Sequence, residues 1–102
     1  MGNILIVDDS LVSARKLKAI LEESGHTIVG EAKNGVEGLA KYKELSPDLV
    51  TMDITMPEMN GIECLKKIRE LSPRAKVVMI TALGSADKMS ARFYRADLNG
   101  RK

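Results

Sequence analysis

The sequence predicts an α/β protein, a doubly wound parallel sheet with helices on both faces. Two observations carry this. Short apolar runs rich in β-branched residues alternate with longer stretches whose apolar residues recur at helical spacing. Turn and cap residues (Asn34, Pro47, Asn60-Gly61, Pro73) separate them at short intervals, as the short loops of such a fold require.

Asn3-Ile4-Leu5-Ile6-Val7 is a continuous apolar run, expected of a strand buried on both faces. It stops at Asp8-Asp9. Leu11, Ala14, Leu17 and Leu21 then mark a helix, with Ser10 or Asp9 as its cap and Gly25 where it stops. Residues 27–32 form a half-polar second strand that belongs near an edge. Asn34 caps the next helix, with Glu37 as its capping-box partner and Val36, Leu39, Ala40 and Leu45 as its apolar stripe. Residues 48–52 make a third strand ending at Asp53. After a loop holding Pro57, Asn60 and Gly61, a third helix carries Ile62, Leu65, Ile68 and Leu71. Residues 76–80 make a fourth strand ending at Thr81. Met89, Phe93 and Ala96, at i, i+4 and i+7, predict a last helix around residues 85–98.

At 102 residues, with 44% hydrophobic and 29% charged side chains, the chain is one globular domain. The apolar runs at 4–7 and 77–80 fall far short of the about 20 residues a membrane span needs, and Asp8-Asp9 interrupts any secretory signal. The single Cys64 cannot form an internal disulfide, so a cytoplasmic location is expected. Net charge is +2, yet residues 1–84 carry 11 basic against 12 acidic side chains. The excess sits in the tail, which is no nucleic-acid footprint.

In an open parallel sheet, ligands bind beyond the carboxyl ends of the strands. Asp8, Asp9, Asp53 and Thr81 occupy those positions. If their strands are neighbours, three carboxylates and a hydroxyl converge. Like charges ~4 Å apart repel by ~4 kcal/mol at an effective dielectric of 20, so the group calls for a hard divalent ion, Mg²⁺ or Mn²⁺. His26 and Cys64 lie elsewhere, which argues against zinc. Taken singly, each Asp is ordinary turn or cap chemistry; the set points to function.

The blocks Ile4-Leu5-Ile6-Val7-Asp8-Asp9-Ser10, Asp48 to Gly61 (with Asp53, Met56-Pro57 and Gly61) and Val78-Met79-Ile80-Thr81-Ala82 resemble the receiver domain of bacterial two-component response regulators, especially chemotaxis-type single-domain members. The likeness covers about residues 2–86 and implies a flavodoxin-like fold with strand order 2-1-3-4-5. It implies that Asp53 is the phosphoacceptor, taking a phosphoryl group from a phosphohistidine of a histidine kinase. It implies that Asp8, Asp9, Asp53 and the backbone carbonyl of Thr55 hold Mg²⁺. Thr81 would be the switch hydroxyl and the Ala82 amide would assist at the phosphoryl group. Output would pass to a downstream protein target, with no nucleic acid or membrane involved.

The tail departs from that pattern. A receiver's fifth strand ends in a Lys that contacts the phosphoryl group, and neither that strand nor a fifth helix is legible here. Residues 1–86 therefore read as the receiver core, with order 2-1-3-4, and residues 87–102 as an atypical helix or tail. Lys88 or Arg92 could substitute for that Lys, but on the expected helix both read first as a solvated face. An unpaired fourth strand and an uncovered sheet face beside the first helix lead to an expected homodimer or swapped assembly. The chain is expected to be a signalling domain and no enzyme beyond weak self-phosphatase activity. The competing reading is a pseudo-receiver that binds partners with impaired phosphotransfer. A haloacid-dehalogenase-type phosphohydrolase is disfavoured, because its general-acid Asp would stand where Thr55 or Ser10 does.

Overall fold

The computed structural model describes residues 2–54, 56, 58–83 and 90–95, the last two segments beyond Ile80 as backbone alone. In chain order the elements are β1 (Asn3–Val7), α1 (Leu11–Glu23), β2 (Thr27–Ala32), α2 (Gly35–Leu45), β3 (Leu49–Asp53), α3 (Gly61–Leu71), β4 (Val77–Leu83) and β5 (Ser90–Arg95). They build one 5-stranded sheet in the order β2-β1-β3-β4-β5. The first four strands are parallel, which is the predicted 2-1-3-4 arrangement.

Strand β1 is the centre of the molecule. Ile4, Leu5, Ile6 and Val7 are all at most 1% exposed, as a run without alternation requires. Leu5 and Val7 join Val50, Met52, Val77 and Met79 against α2 and α3, while Ile4 and Ile6 face α1. Among the described residues, the buried cluster on the α1 side is Ile4, Ile6 and Ala14, with Leu17, Leu21, Ile28 and Leu49 packed against it. Strand β2 lies at the sheet edge, consistent with its half-polar sequence.

Each helix starts on a residue that satisfies an otherwise orphaned amide. Ser10 Oγ accepts from the Ser13 amide at 3.2 Å. Asn34 accepts from Glu37 at 2.8 Å, and Glu37 reaches back to the Lys33 amide at 2.9 Å. That amide lies one residue upstream of the capping-box position. Asn60 accepts from Glu63 at 2.9 Å. Gly25, at φ 95, takes the left-handed conformation just past α1.

The apolar stripes differ in part from expectation. Leu11, Val36, Ile62 and Leu71 are about half exposed or more. Ala40 is exposed as well. The seam between α2 and α3 instead uses Gly35, Gly38, Cys64, Leu65 and Ile68. A Cβ on Gly38 would stand 3.0 Å from Val7 and 3.5 Å from the Cys64 sulfur. Small residues bring the helix close to the sheet, so the larger neighbours in the stripe turn outward.

The predicted helix around 85–98 is corrected. Residues 90–95 form a strand, antiparallel to β4, with Ile80 opposite Phe93 and Thr81 opposite Arg92. A parallel strand needs a crossover of a dozen or more residues. Only residues 84–89 separate β4 from β5, so the chain can return only antiparallel. The i, i+4, i+7 spacing of Met89, Phe93 and Ala96 competes with adjacent aromatics at 93 and 94, which suit a strand. The unpaired β4 edge, on which the strand-edge argument for dimerisation rested, is therefore occupied by the chain's own β5. A parallel fifth strand and a fifth helix do not occur among the described residues. Lys88 lies outside them.

Candidate functional site

The site is set by strand register. Val7 pairs with Met52, so Asp8 and Asp53 each lie one residue beyond a matched pair on neighbouring parallel strands. Asp9 follows. The three side chains each bring a carboxylate oxygen within 4.8 Å of the other two. Asp8 and Asp53 are half-buried and Asp9 is exposed, so the pocket opens to solvent on the Asp9 side.

Local bonds hold the acids in place. The Asp8 amide donates to the Ala32 carbonyl at 2.9 Å, tying the end of β1 to β2. The Ser10 amide donates to Asp8 Oδ1 at 2.8 Å, which turns the chain into α1. Burial pushes the Asp8 carboxyl above the ordinary carboxylate range, and the neighbouring Asp9 charge adds to it. The Ser10 amide and a hydrogen bond with Asp53 pull the other way without cancelling it.

The loop after Asp53 is tied at several points. The Ile54 amide donates to the Ile80 carbonyl at 3.3 Å, and the Gly61 amide closes the loop on the Ile54 carbonyl at 2.8 Å. Met56 is buried in the core. Glu58 takes a left-handed φ of 67. The Gly35 amide donates to the Met59 carbonyl at 3.0 Å, joining the start of α2 to this loop. A Cβ on Gly35 would overlap that same carbonyl.

The structure thus brings Asp8, Asp9 and Asp53 together. Thr81 lies on β4 one residue past Ile80, the register partner of Asp53, and Ala82 follows it. Thr55 lies outside the described residues, as does Pro57. Sequence reasoning missed Gly35 and Met59 as the prop under the loop. A glycine directly after a helix cap was the available signal, but nothing in the sequence pairs it with Met59.

Among the described residues the donor set is all oxygen and open on one side, which suits a hard divalent cation. Among the described residues no soft ligand reaches the site: Cys64 is buried, with its thiol donating to the Gly35 carbonyl at 3.3 Å.

A parallel α/β domain with an acidic pocket across the carboxyl ends of its first and third strands is the architecture of a response regulator receiver domain. Residues 4–100 match the family model described as the response regulator receiver domain, and the chain belongs to that family. It is 52% identical over 81 residues to the chemotaxis protein CheY of Thermotoga maritima, covering 79% of this chain and 68% of that protein. The CheY of Bacillus subtilis matches at 52% over the same length. Among solved structures, a chain of the CheX-CheY-BeF3-Mg complex of Borrelia burgdorferi superposes with a TM-score of 0.77 at 44% identity, covering 84% of this chain and 66% of that one. The response regulator domain of Thermotoga maritima CheB gives 0.74 at 41% identity, covering 85% and 67%. The chain therefore spans about two thirds of the length of these relatives. No helix among the described residues is long and apolar enough to cross a membrane.

Proposed function

We propose that this chain is a cytoplasmic phosphoryl-accepting switch of a two-component phosphorelay, with Asp53 as the acceptor. The observation that carries this reading is the convergence of Asp8, Asp9 and Asp53 within 4.8 Å at the ends of adjacent strands. A carboxylate oxygen of Asp53 attacks the phosphorus of a kinase phosphohistidine. The new P–O bond makes an acyl phosphate. The P–N bond breaks, its electron pair returns to the imidazole, and that nitrogen takes a proton. Asp8 and Asp9, with Asp53 and the Thr55 carbonyl, would hold Mg²⁺. Bound there, the ion neutralises charge on the transferring phosphoryl oxygens. Asp8 and Asp9 orient it, while Ser10 fixes Asp8 through its amide. Thr81 serves as the switch hydroxyl and Ala82 offers its amide. Weak self-dephosphorylation by water is the remaining activity, and the output is a contact with a downstream protein.

Two solved relatives support this reading: one is a CheX-CheY complex with BeF3 and Mg, another the response regulator TrrA of Thermotoga maritima in complex with Mg(2+)-BeF. The test is incubation with acetyl phosphate and Mg²⁺ followed by intact-mass measurement. One added phosphoryl group, absent in Asp53→Asn, is the expected result. An unmodified wild-type chain would instead favour the pseudo-receiver reading, a partner-binding module with impaired phosphotransfer.

Self-association belongs to the same proposal, now through the α1 side of the sheet. Val12 and Ile20 of α1 are exposed apolar side chains. Light scattering on a sizing column tests it: a dimer at micromolar concentration is expected, and a clean monomer overturns it.

A further inference from the structure

We propose that Gly35 is a positioning residue for the acid pocket: through Met59 it holds the loop that presses on Asp53. The inference rests on the reading of Asp8, Asp9 and Asp53 as a Mg²⁺ site. The Gly35 amide donates to the Met59 carbonyl at 3.0 Å. A Cβ at this position would overlap that carbonyl and stand 2.6 Å from Met59 Cβ and 2.8 Å from Met59 Cγ. A residue with a side chain therefore has no room between α2 and the loop. Gly61, two residues after Met59, is packed as tightly on the backbone of Asp53, and its amide bonds the Ile54 carbonyl at 2.8 Å. Asn60 alone separates Met59 from Gly61. A push at Met59 has little chain in which to dissipate before it reaches Asp53.

A prop positions a loop only if it is itself fixed. Gly35 is buried, and its carbonyl accepts from the Cys64 thiol at 3.3 Å. Asn34 and Glu37 close the helix start with bonds of 2.8 and 2.9 Å. Nearly one turn further, Gly38 seats α2 on Val7, where a Cβ would stand 3.0 Å from Val7 Cγ1. Val7 is the residue before Asp8. The first turn of α2 thus reaches from the strand that leads into Asp8 and Asp9 to the loop that ends against Asp53. The β1–β3 register is one tie between the two halves of the acid cluster, and α2 is a second. Mg²⁺ demands near-ideal octahedral geometry, so a small shift of Asp53 against Asp8 and Asp9 is felt as lost affinity.

The experiment titrates wild type, Gly35→Ala and Ile68→Val with Mg²⁺ by calorimetry, and takes the urea midpoint of each without metal. Ile68 is fully buried about two turns into α3, so Ile68→Val loosens the core away from the loop. Both substitutions are expected to lower the midpoint. Only Gly35→Ala is expected to bind Mg²⁺ more weakly, on the order of 10-fold. Wild-type affinity in Gly35→Ala, or an equal loss in Ile68→Val, overturns the role of Gly35 alone. Should Gly35→Ala fail to fold, hydrogen exchange of the wild type decides. An opening that frees the Gly35 amide and breaks the acid site is suppressed by Mg²⁺, about 100-fold at 100 times the dissociation constant. The Ser46 amide, bonded to the Tyr42 carbonyl at 3.0 Å at the other end of α2, is expected to slow less. No slowing at Gly35, or equal slowing at both, overturns the proposal. A wild type that binds no Mg²⁺ overturns the metal-site reading and this proposal with it.

Discussion

Gly61 lies against the backbone of Asp53 so closely that a Cβ on it would overlap the Asp53 carbonyl oxygen and stand 2.9 Å from the carbonyl carbon. The helix that follows the loop thus begins in contact with the residue that the loop must expose. Its amide closes that loop on Ile54 at 2.8 Å.

Gly61→Ala should therefore disturb Asp53 directly. Overpacking of this kind costs about 1–3 kcal/mol, and here the displaced atom is backbone. Urea denaturation should place the variant lower in stability by that amount, and phosphorylation should slow as well. Wild-type stability would mean that the loop relaxes freely.

Asp8 makes the metal-free protein pH-sensitive. Its native carboxyl titrates above its ordinary value of 3.8, chiefly because of burial. Below 3.8 both states hold the proton and the contribution to stability is complete. As pH rises through the native value, a buried charge appears among like charges and that contribution is lost. Asp8→Asn should thus stabilise the metal-free protein near neutrality and much less in acid. Each kcal/mol relieved appears as roughly 4–8 °C in thermal midpoint. A variant less stable than wild type at neutral pH without metal would contradict this.

Cys64 should be inert in the folded protein. Burial pushes its thiol up to about 11, and Glu63 adds to this. Its contribution to stability is present below the ordinary thiol value of 9.0 and is lost as pH rises toward about 11. A disulfide reagent at pH 8 should modify it only as fast as the chain opens. Prompt reaction under native conditions would show the α2–α3 seam to be loose.

The β4 edge can be uncovered on purpose. Successive amides of a strand point to opposite sides, so one of Phe93→Pro and Tyr94→Pro must delete a β4–β5 ladder donor. That variant should leave apolar Val78 and Ile80 on an unpaired strand and shift light scattering to heavier species. If neither variant associates more than wild type, β5 is not what protects the edge.

Much of this molecule is legible in its residues. The uninterrupted Ile4–Val7 run announces a strand buried on both faces, and the acids that end it mark the pocket. Ser10, one of two candidates with Asp9, and Asn34 cap the helices they precede, while Asn60, read only as a loop residue, caps the third. What escapes is contact at a distance. Periodicity places Val36, Ile62 and Leu71 inside, but it cannot sense that Gly35, Gly38 and Gly61 make the close contacts, with Met59, Val7 and Asp53. The tail misleads for a related reason. Met89, Phe93 and Ala96 have helical spacing, while the vacant edge of β4 offers ladder hydrogen bonds that no local pattern records.

The most direct measurement is calorimetric titration of the chain with Mg²⁺, paired with its thermal midpoint. The account predicts a single binding event and, at 100 times the dissociation constant, protection of about 2.7 kcal/mol. Both should be weakened in Asp9→Asn and Asp53→Asn. A titration without heat or protection in wild type, or one that the two substitutions leave unchanged, would contradict it.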